Sequence, residues 1–258
     1  MLTIEIQIAT LGRAGIERAG RMTLPALDGL TYTVCAQSPD GSPLRVPDTL
    51  LRPDVRVIQH RSAGISLNRN HALDRAEGDI VVVADDDLNY SAPALEALRD
   101  YFARHPEVDY VTFRHTGADA KHYPPAEACL DGREPRGYYL TAFELAIRRS
   151  SLRPGIRFST DFGPGAPYFL AGEDIVMLLT LQRAGLHGMF VPLDVCEHPG
   201  LTTGHRRATR GVLRAQGGYF RLRYGLAEGL ARTLRDIPRR PAPLWQSAMY
   251  MLQGFFHR

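Results

Sequence analysis

The chain has 258 residues, of which 44% are hydrophobic, and its formal net charge at pH 7 is +3. This length suits one large domain or two small ones. Because no apolar run approaches bilayer length and the N-terminus carries no signal segment, the sequence predicts a cytoplasmic protein. The three cysteines, Cys35, Cys129 and Cys196, match neither a zinc spacing nor a disulfide framework, and we expect them to be buried free thiols.

Strand-like apolar segments alternate with helical segments over the first 113 residues. The predicted strands are 2–10, 30–37, 55–59, 80–84 and 108–113, and the predicted helices are 15–24, 66–76 and 92–105. Residues 12–15 are predicted to form a flexible turn before the first helix. This alternation has the spacing of βαβ units, so the sequence predicts an α/β domain with a mainly parallel sheet and flanking helices.

The pattern is less regular after residue 113. Residues 114–137 are predicted to form a long loop or a small antiparallel excursion, and residues 138–148 a strand followed by a short helix. A helix is predicted over 172–184 and a strand over 187–193. Basic helices, broken near Pro238 and Pro241, are predicted after residue 204.

The apolar segment 80–84 runs directly into three carboxylates, Asp85, Asp86 and Asp87. Three adjacent carboxylates repel one another unless a cation lies among them. Alternation along an extended chain puts Asp85 and Asp87 on one side and Asp86 on the other. This arrangement favours a hard divalent ion at the carboxyl end of a buried strand, where α/β sheets bind ligands. The alternative is that these residues only solubilise a loop or cap a helix.

Four passages, taken together and in order, resemble a bacterial family 2 glycosyltransferase of the GT-A (Rossmann-like) fold. They are residues 8–13, residues 64–73, the Asp-x-Asp motif 85–87, and the segment Phe-Gly-Pro-Gly at 162–165 followed by Gly-Glu-Asp at 172–174. The resemblance covers about residues 1–205. Asn68 departs from it, because the family prefers Ala there. The end of the second strand also departs, which leaves the contact to the nucleotide base open between Gln37 and Asp40.

The resemblance implies a role for each matching residue. Asp87 is the expected direct metal ligand, and Asp85 or Asp86 would contact the ribose, or the metal through water. His198 is a candidate third ligand whose alternative is an ordinary loop histidine. The cofactor implied is Mn²⁺ or Mg²⁺. The residues expected near the nucleotide sugar are Thr10, Leu11, Arg13, Gln37, Asp40, Gly64, Arg69, Asp85 and Asp86.

The pair Glu173–Asp174 is implied to supply the catalytic base. Asp174 is the first choice, and Glu173 is the second, with binding of the acceptor sugar as its other role. From the residues alone, two acidic side chains at the start of a helix are also explained by the helix dipole.

The resemblance therefore implies a metal-dependent, inverting hexosyltransferase. It would move a hexose from a nucleoside-diphosphate sugar to a hydroxyl of a surface-glycan or lipid-linked acceptor. The expected domains are 1–205, with the nucleotide sugar on 1–113 and the acceptor on 114–205, and a basic extension over 206–258. Two alternatives remain: a sugar nucleotidyltransferase, although no Gly-rich loop with a Lys lies near the first strand, and a non-catalytic module that binds membrane or nucleic acid.

The C-terminal segment is basic and amphipathic. Residues 205–258 contain eleven Arg and two acidic residues, and residues 244–256 place apolar side chains at helical spacing. A basic apolar helix suits an anionic bilayer, here the inner face of the plasma membrane. The alternatives are packing on the catalytic domain or on a second copy in a homodimer. Nucleic-acid binding is disfavoured because no recognition motif surrounds the arginines.

Overall fold

The computed structural model describes residues 1–118, 121–132, 134–135, 137–200 and 209–257. These residues form two compact units. The first unit comprises the described residues of 1–63, 67–157 and 180–201, and the second those of 64–66, 158–179 and 202–258.

The described strands form one nine-stranded sheet in the first unit. They are β1 (Ile4–Leu11), β2 (Leu30–Gln37), β3 (Val55–His60), β4 (Ile80–Asp85), β5 (Asn89–Tyr90), β6 (Tyr110–Gly117), β7 (Ala128–Cys129), β8 (Leu145–Arg148) and β9 (Gly188–His198). Their order is β3-β2-β1-β4-β8-β6-β9-β5, and β7 also pairs with β9. The pairs β1–β2, β2–β3, β1–β4 and β6–β9 are parallel, and β8 runs antiparallel between β4 and β6. The predicted α/β class with a mainly parallel sheet is confirmed.

The helices are α1 (Gly12–Ala19), α2 (Ile65–Leu73), α3 (Ala92–Arg104), α4 (Glu173–Arg183), α5 (Arg210–Tyr224), α6 (Ala227–Asp236) and α7 (Leu244–Phe256). The turn predicted over residues 12–15 is wrong, because α1 begins at Gly12 directly after β1. No side chain caps this helix at its first residue, so the sequence offers no start signal there.

The centre of the sheet explains why its strands form. In β4, residues Ile80–Ala84 are all buried, and seven of the eight residues of β1 are buried as well. Strands that are covered on both faces favour apolar, β-branched side chains, which β4 has almost throughout, whereas β1 alternates isoleucines with the buried polar residues Glu5 and Gln7. Helix α3 adds Leu95, Leu98 and Phe102 to the same core.

Three expectations from the sequence need correction. In the segment 138–148 a 3₁₀ turn over Ala142–Glu144 precedes strand β8, which is the reverse of the predicted order. The strand predicted over 187–193 continues to His198. Among the cysteines, Cys35 and Cys196 are buried thiols, but Cys129 is exposed.

The second unit contains α5, α6 and α7. Helices α5 and α7 approach closely at Gly254. A Cβ atom added to this residue would lie only 2.0 Å from the carbonyl oxygen of Arg214, so a larger side chain would not fit there. Leu213, Ile237 and Met251 form a small core there. Arg206 and Arg207, part of the predicted basic segment, lie outside the described residues. Within the described ranges, no helix combines the length and the apolar character that a membrane crossing needs.

Candidate active site at the carboxyl edge of the sheet

The ends of β1, β2 and β4 bring several predicted site residues to one edge of the sheet. Leu11 pairs with Gln37 in the β1–β2 register, and Ala9 pairs with Asp85 in the β1–β4 register. All three strands are parallel, so their carboxyl ends meet there. Thr10 is buried at this edge, whereas Leu11 is exposed.

Asp86 is buried and its carboxylate is fully engaged. Thr10 Oγ1 donates to Asp86 Oδ2 over 2.6 Å. Arg18 on α1 donates from Nε to Oδ1 and from Nη2 to Oδ2, each over 3.0 Å. Burial raises the pKa of the Asp86 carboxyl, while the hydrogen bonds from Thr10 and Arg18 act in the opposite direction. This bidentate pair fixes α1 against the loop that follows β4.

Asp85 is partly exposed and contacts α2. Arg69 Nη2 donates to Asp85 Oδ1 over 2.7 Å, and the Arg69 side chain is only 5% exposed. A buried guanidinium on a helix is a rigid donor for a carboxylate or a phosphate. Asp85 therefore has a defined orientation, with part of its carboxylate facing solvent.

Asp87 faces the end of β9. His198 Nε2 lies 3.4 Å from Asp87 Oδ2, and the side chains are 4% and 43% exposed, respectively. Neighbouring ligands of an octahedral ion with bonds of about 2.1 Å lie about 3.0 Å apart, so this oxygen and nitrogen fit a Mn²⁺-type ion after a small closure. Over the described ranges, Asp85 does not join Asp87 and His198 in a set of ligand atoms within 4.8 Å of one another.

His198 is held by its neighbours. Its ring stacks on Phe143 at 5.6 Å between centroids, and the ring of His115 lies 6.4 Å away, edge to face. Gly117 pairs with His198 across β6 and β9. A Cβ atom on Gly117, whose φ is +120°, would lie 2.0 Å from the His198 carbonyl oxygen. Only glycine allows this approach, so the end of β9 is fixed in place.

Behind His198 lies a buried polar network around Glu144, which is fully buried. Its Oε1 contacts His115 Nδ1 at 2.8 Å and accepts from the Tyr123 hydroxyl over 2.5 Å. Its Oε2 accepts from Lys121 Nζ over 2.6 Å. Lys121 is the only lysine of the chain. The backbone N–H of Thr141 also donates to Oε2 over 3.1 Å, and a buried carboxylate with four partners is a rigid support for the rings packed against it.

The predicted base-contact residues lie beyond β2. Gln37 is buried, and its Nε2 donates to Ser62 Oγ over 2.7 Å. Asp40 lies in the following turn and accepts hydrogen bonds from the backbone and hydroxyl of Ser42 and from the Ser38 hydroxyl. These bonds hold the pKa of Asp40 below its ordinary value. Arg13 is exposed on α1, where it pairs with Glu17.

Asn68, the departure from the family pattern, has a structural role. Its Nδ2 donates to the carbonyl oxygens of Thr10 and Cys35, over 3.1 and 2.9 Å. These bonds tie α2 to the ends of β1 and β2. An alanine at this position would make neither bond.

The second unit carries the pair Glu173–Asp174 in the first turn of α4, and both residues are half-buried. The chain before this helix folds back so that Gly163 N donates to the Phe169 carbonyl oxygen over 2.8 Å, and the rings of Phe162 and Phe169 stack at 4.5 Å. A Cβ atom on Gly163, whose φ is +104°, would lie 3.0 Å from the Glu173 carboxylate. Gly64, also in this unit, has a φ of +115° and precedes Ile65, whose N–H donates to the Pro164 carbonyl oxygen.

Sequence reasoning missed two parts of this site. Arg18 was not recognised as the partner of Asp86, because an arginine on an amphipathic surface helix has no distinctive pattern. The Glu144 network was missed because its members come from β6, from the segment around residue 121 and from the turn before β8. Its one signal was an isolated lysine in an arginine-rich chain.

Comparison with known families gives one match. Residues 38–160 match the family described as Glycosyl transferase family 2. This range contains α2 and the triplet 85–87 and ends before Glu173. No curated protein sequence matches the chain.

Solved structures of TarS from S. aureus share the fold. TarS 1-349 is 13% identical, with a TM-score of 0.59 over 98% of this chain and 89% of that chain. TarS 1-349 in complex with UDP-GlcNAc is 14% identical, with a TM-score of 0.58 over 99% of this chain and 73% of that chain. A longer TarS chain is 14% identical with a TM-score of 0.55, and our chain spans 43% of its length.

The fold, the family match and the predicted motif agree. The resemblance predicted from the sequence is confirmed: residues 38–160 match glycosyltransferase family 2, and the chain shares the fold of the TarS structures.

Proposed function

We propose that this protein is a metal-dependent, inverting glycosyltransferase that uses a nucleoside-diphosphate sugar as donor. The observation that carries the proposal is the contact between Asp87 and His198, which places an oxygen and a nitrogen ligand at the carboxyl edge of the sheet. The TarS structures in complex with UDP-GlcNAc and with UDP support a uridine nucleotide as the first donor to test.

Asp87 and His198 would hold Mn²⁺ or Mg²⁺, and Asp85 would complete the site directly or through water. When bound, the ion supplies Lewis-acid stabilisation of the leaving diphosphate. Arg69 orients Asp85 and adds positive charge near the same edge. Asp86, with both oxygens engaged by Thr10 and Arg18, positions the triplet at this edge.

On the acceptor side, Asp174 is the proposed base that takes the proton from the attacking hydroxyl. Asp174 and Glu173 place two half-buried carboxylates in the first turn of α4, and a carboxylate is a suitable group to accept this proton. One base without a second nucleophile gives inversion at the anomeric carbon. The proposed acceptor is a hydroxyl of a surface glycan or of a lipid-linked sugar.

A screen of nucleotide sugars by thermal shift, with Mn²⁺ or with EDTA, tests the donor proposal. We expect one nucleotide sugar to raise the melting temperature in Mn²⁺ and not in EDTA, because ligands that bind only the folded state stabilise it. Release of a nucleoside diphosphate would confirm transfer or hydrolysis. Release of pyrophosphate would instead identify a nucleotidyltransferase and refute the proposal.

The second unit supports association with an anionic bilayer. Trp245, Met249 and Phe256 lie along one face of α7 and are 64%, 37% and 58% exposed. Positive charge lies on the neighbouring helix α5, where the guanidinium groups of Arg210 and Arg214 are 5.7 and 5.8 Å from the ring of Tyr250 on α7. An exposed apolar face in a unit rich in arginine is typical of helices that lie in the membrane interface.

Trp245 is the only tryptophan of the chain, so its fluorescence tests this association directly. We expect its emission to shift to shorter wavelength with vesicles that contain phosphatidylglycerol, and less so at high salt, because screening weakens the attraction. Neutral phosphatidylcholine vesicles are the control. Unchanged emission with anionic vesicles at low salt would exclude this surface as a membrane contact.

A further inference from the structure

We propose that Cys129, Asp131 and His187 form a second metal site, selective for Zn²⁺ or a similar thiophilic divalent ion. The three residues offer a sulfur, an oxygen and a nitrogen ligand whose atoms all lie within 4.8 Å of one another. Such mixed ligand sets are typical of Zn²⁺, whereas Mg²⁺ and Ca²⁺ prefer oxygen ligands alone. This inference does not depend on the proposed transferase activity.

The backbone presents these three side chains rigidly. Cys129 pairs with Met189 in the β7–β9 register, and Leu130 N donates to the Gly188 carbonyl oxygen over 2.8 Å. Asp131 Oδ1 accepts from Gly188 N over 2.9 Å, and its Oδ2 lies 2.7 Å from His187 Nδ1. The ligands therefore belong to two chain segments that the sheet already holds together.

The position of His187 is fixed from the other side as well. Its backbone N–H donates to Asp109 Oδ2 over 2.8 Å, and Ser151 Oγ donates to Asp109 Oδ1 over 2.6 Å. The His187 and Asp131 side chains are 39% and 42% exposed, and Cys129 is exposed, so an ion has access from solvent.

The geometry needs only side-chain rotation to accept an ion. Tetrahedral Zn²⁺ with bonds of about 2.0 to 2.3 Å places its ligand atoms about 3.3 to 3.8 Å apart. The contact of 2.7 Å between His187 Nδ1 and Asp131 Oδ2 must therefore open by about 0.6 Å, and the sulfur of Cys129 lies within 4.8 Å of both atoms. Water fills the fourth position, since three protein ligands are present.

This second site is separate from the carboxyl edge. His187 precedes the first residue of β9, and His198 is its last residue. An 11-residue strand spans roughly 35 Å, so the two sites lie at opposite ends of the sheet. An ion held by Cys129, Asp131 and His187 would link the end of β7 and the residues that follow it to the start of β9.

Another cluster, Cys35, His60 and His71, also brings three ligand atoms within 4.8 Å of one another. The rings of His60 and His71, however, are stacked at 3.9 Å with an interplanar angle of 7°. The nitrogen lone pairs lie in the ring planes, so two parallel rings cannot direct them at one ion. This cluster is therefore a hydrogen-bonded support of β2 and β3 and serves as the control.

Titration of the metal-free full-length protein with Co²⁺ tests the inference, because only a thiolate ligand gives a sulfur-to-cobalt charge-transfer absorption. We expect one equivalent of this absorption in the wild type, its loss in Cys129→Ser and its retention in His71→Gln. His187→Gln and Asp131→Asn should weaken Co²⁺ binding at least about tenfold, since even outer-shell partners of metal ligands contribute that much.

A thermal readout with Zn²⁺ accompanies the titration. Zn²⁺ should raise the melting temperature of the wild type and of His71→Gln, and not that of Cys129→Ser. The inference is overturned if the wild type gives no charge-transfer absorption, or if the absorption persists in Cys129→Ser and disappears in His71→Gln. Binding at the Asp87–His198 pair cannot imitate the signal, because no sulfur ligand is present in that pair.

Discussion

His198 Nε2 lies 3.4 Å from Asp87 Oδ2, although the two residues belong to different ends of the domain's sequence. The contact depends on the full length of β9, which continues to His198 and pairs there with Gly117 of β6. A buried imidazole thus faces a half-exposed carboxylate at the edge where β1, β2 and β4 end.

Gly117→Ala should displace the end of β9. A Cβ atom there would lie 2.0 Å from the His198 carbonyl oxygen, and the positive φ adds backbone strain. We expect a loss of unfolding free energy of more than about 1 kcal/mol and weaker Mn²⁺ binding, measured by denaturant unfolding and calorimetry. Gly155→Ala is the matched control, because Gly155 has a φ of +97° and open space around it. Equal effects of the two variants would show that the contact with His198 is unimportant.

Glu144→Gln should loosen the network behind His198. The variant keeps the shape of the side chain but loses the charge that pairs with Lys121 and accepts from Tyr123. Breaking one side of a buried ion pair costs about 3 kcal/mol, and urea unfolding will measure the loss. Lys121→Met should cost a similar amount, and the double variant less than the sum, because the two residues share one interaction. Strictly additive losses would argue against a shared network.

Arg18→Met should destabilise the fold, because it removes the bidentate partner of the buried Asp86 carboxylate and leaves the Thr10 hydroxyl as a donor to it. Because Arg18 is 45% exposed, we expect a loss of about 1 to 2 kcal/mol, less than for a fully buried pair. Arg13→Met, on the same helix, should leave stability unchanged, since Arg13 forms an exposed pair with Glu17. Equal stability of the two variants in chemical denaturation would contradict the positioning role of Asp86.

Asp174→Asn should abolish sugar transfer while donor binding persists. The amide cannot accept the proton of the attacking hydroxyl, so kcat should fall by a factor of about 100 to 10,000. Thermal stabilisation by donor and Mn²⁺ checks that the donor site is intact. Glu173→Gln is the paired variant and should reduce transfer less. The opposite ranking would move the base to Glu173, and unchanged kcat in both would refute the assignment.

The bounds of β2, β3 and β4 were predicted to within one residue. Each strand is rich in residues that favour strands and is flanked by turn residues, so its ends leave little ambiguity. The last strand was predicted to end at residue 193, but β9 continues to His198. The paired strand β6 has register shifts between Thr112 and His115, and these accommodate the irregular segment.

The residues of the candidate site could be predicted where they are neighbours in the sequence. The triplet 85–87 could be recognised because three carboxylates follow one apolar strand. Only the family resemblance predicted that His198 lies near Asp87. From the sequence pattern alone, His198 could equally be an ordinary loop histidine. Arg18 and Glu144 could not be predicted, since their partners come from distant segments and only the fold brings them together.

The central claim is that Asp87 and His198 hold a cation against the donor diphosphate. Calorimetric titration of Mn²⁺, in the presence of the nucleoside diphosphate that stabilises the protein most, tests it directly. We expect Asp87→Asn and His198→Gln each to weaken Mn²⁺ binding at least about tenfold, and Asp74→Asn, an exposed carboxylate paired with Arg157, to bind as the wild type does. Mn²⁺ binding by Asp87→Asn with wild-type affinity would contradict the account.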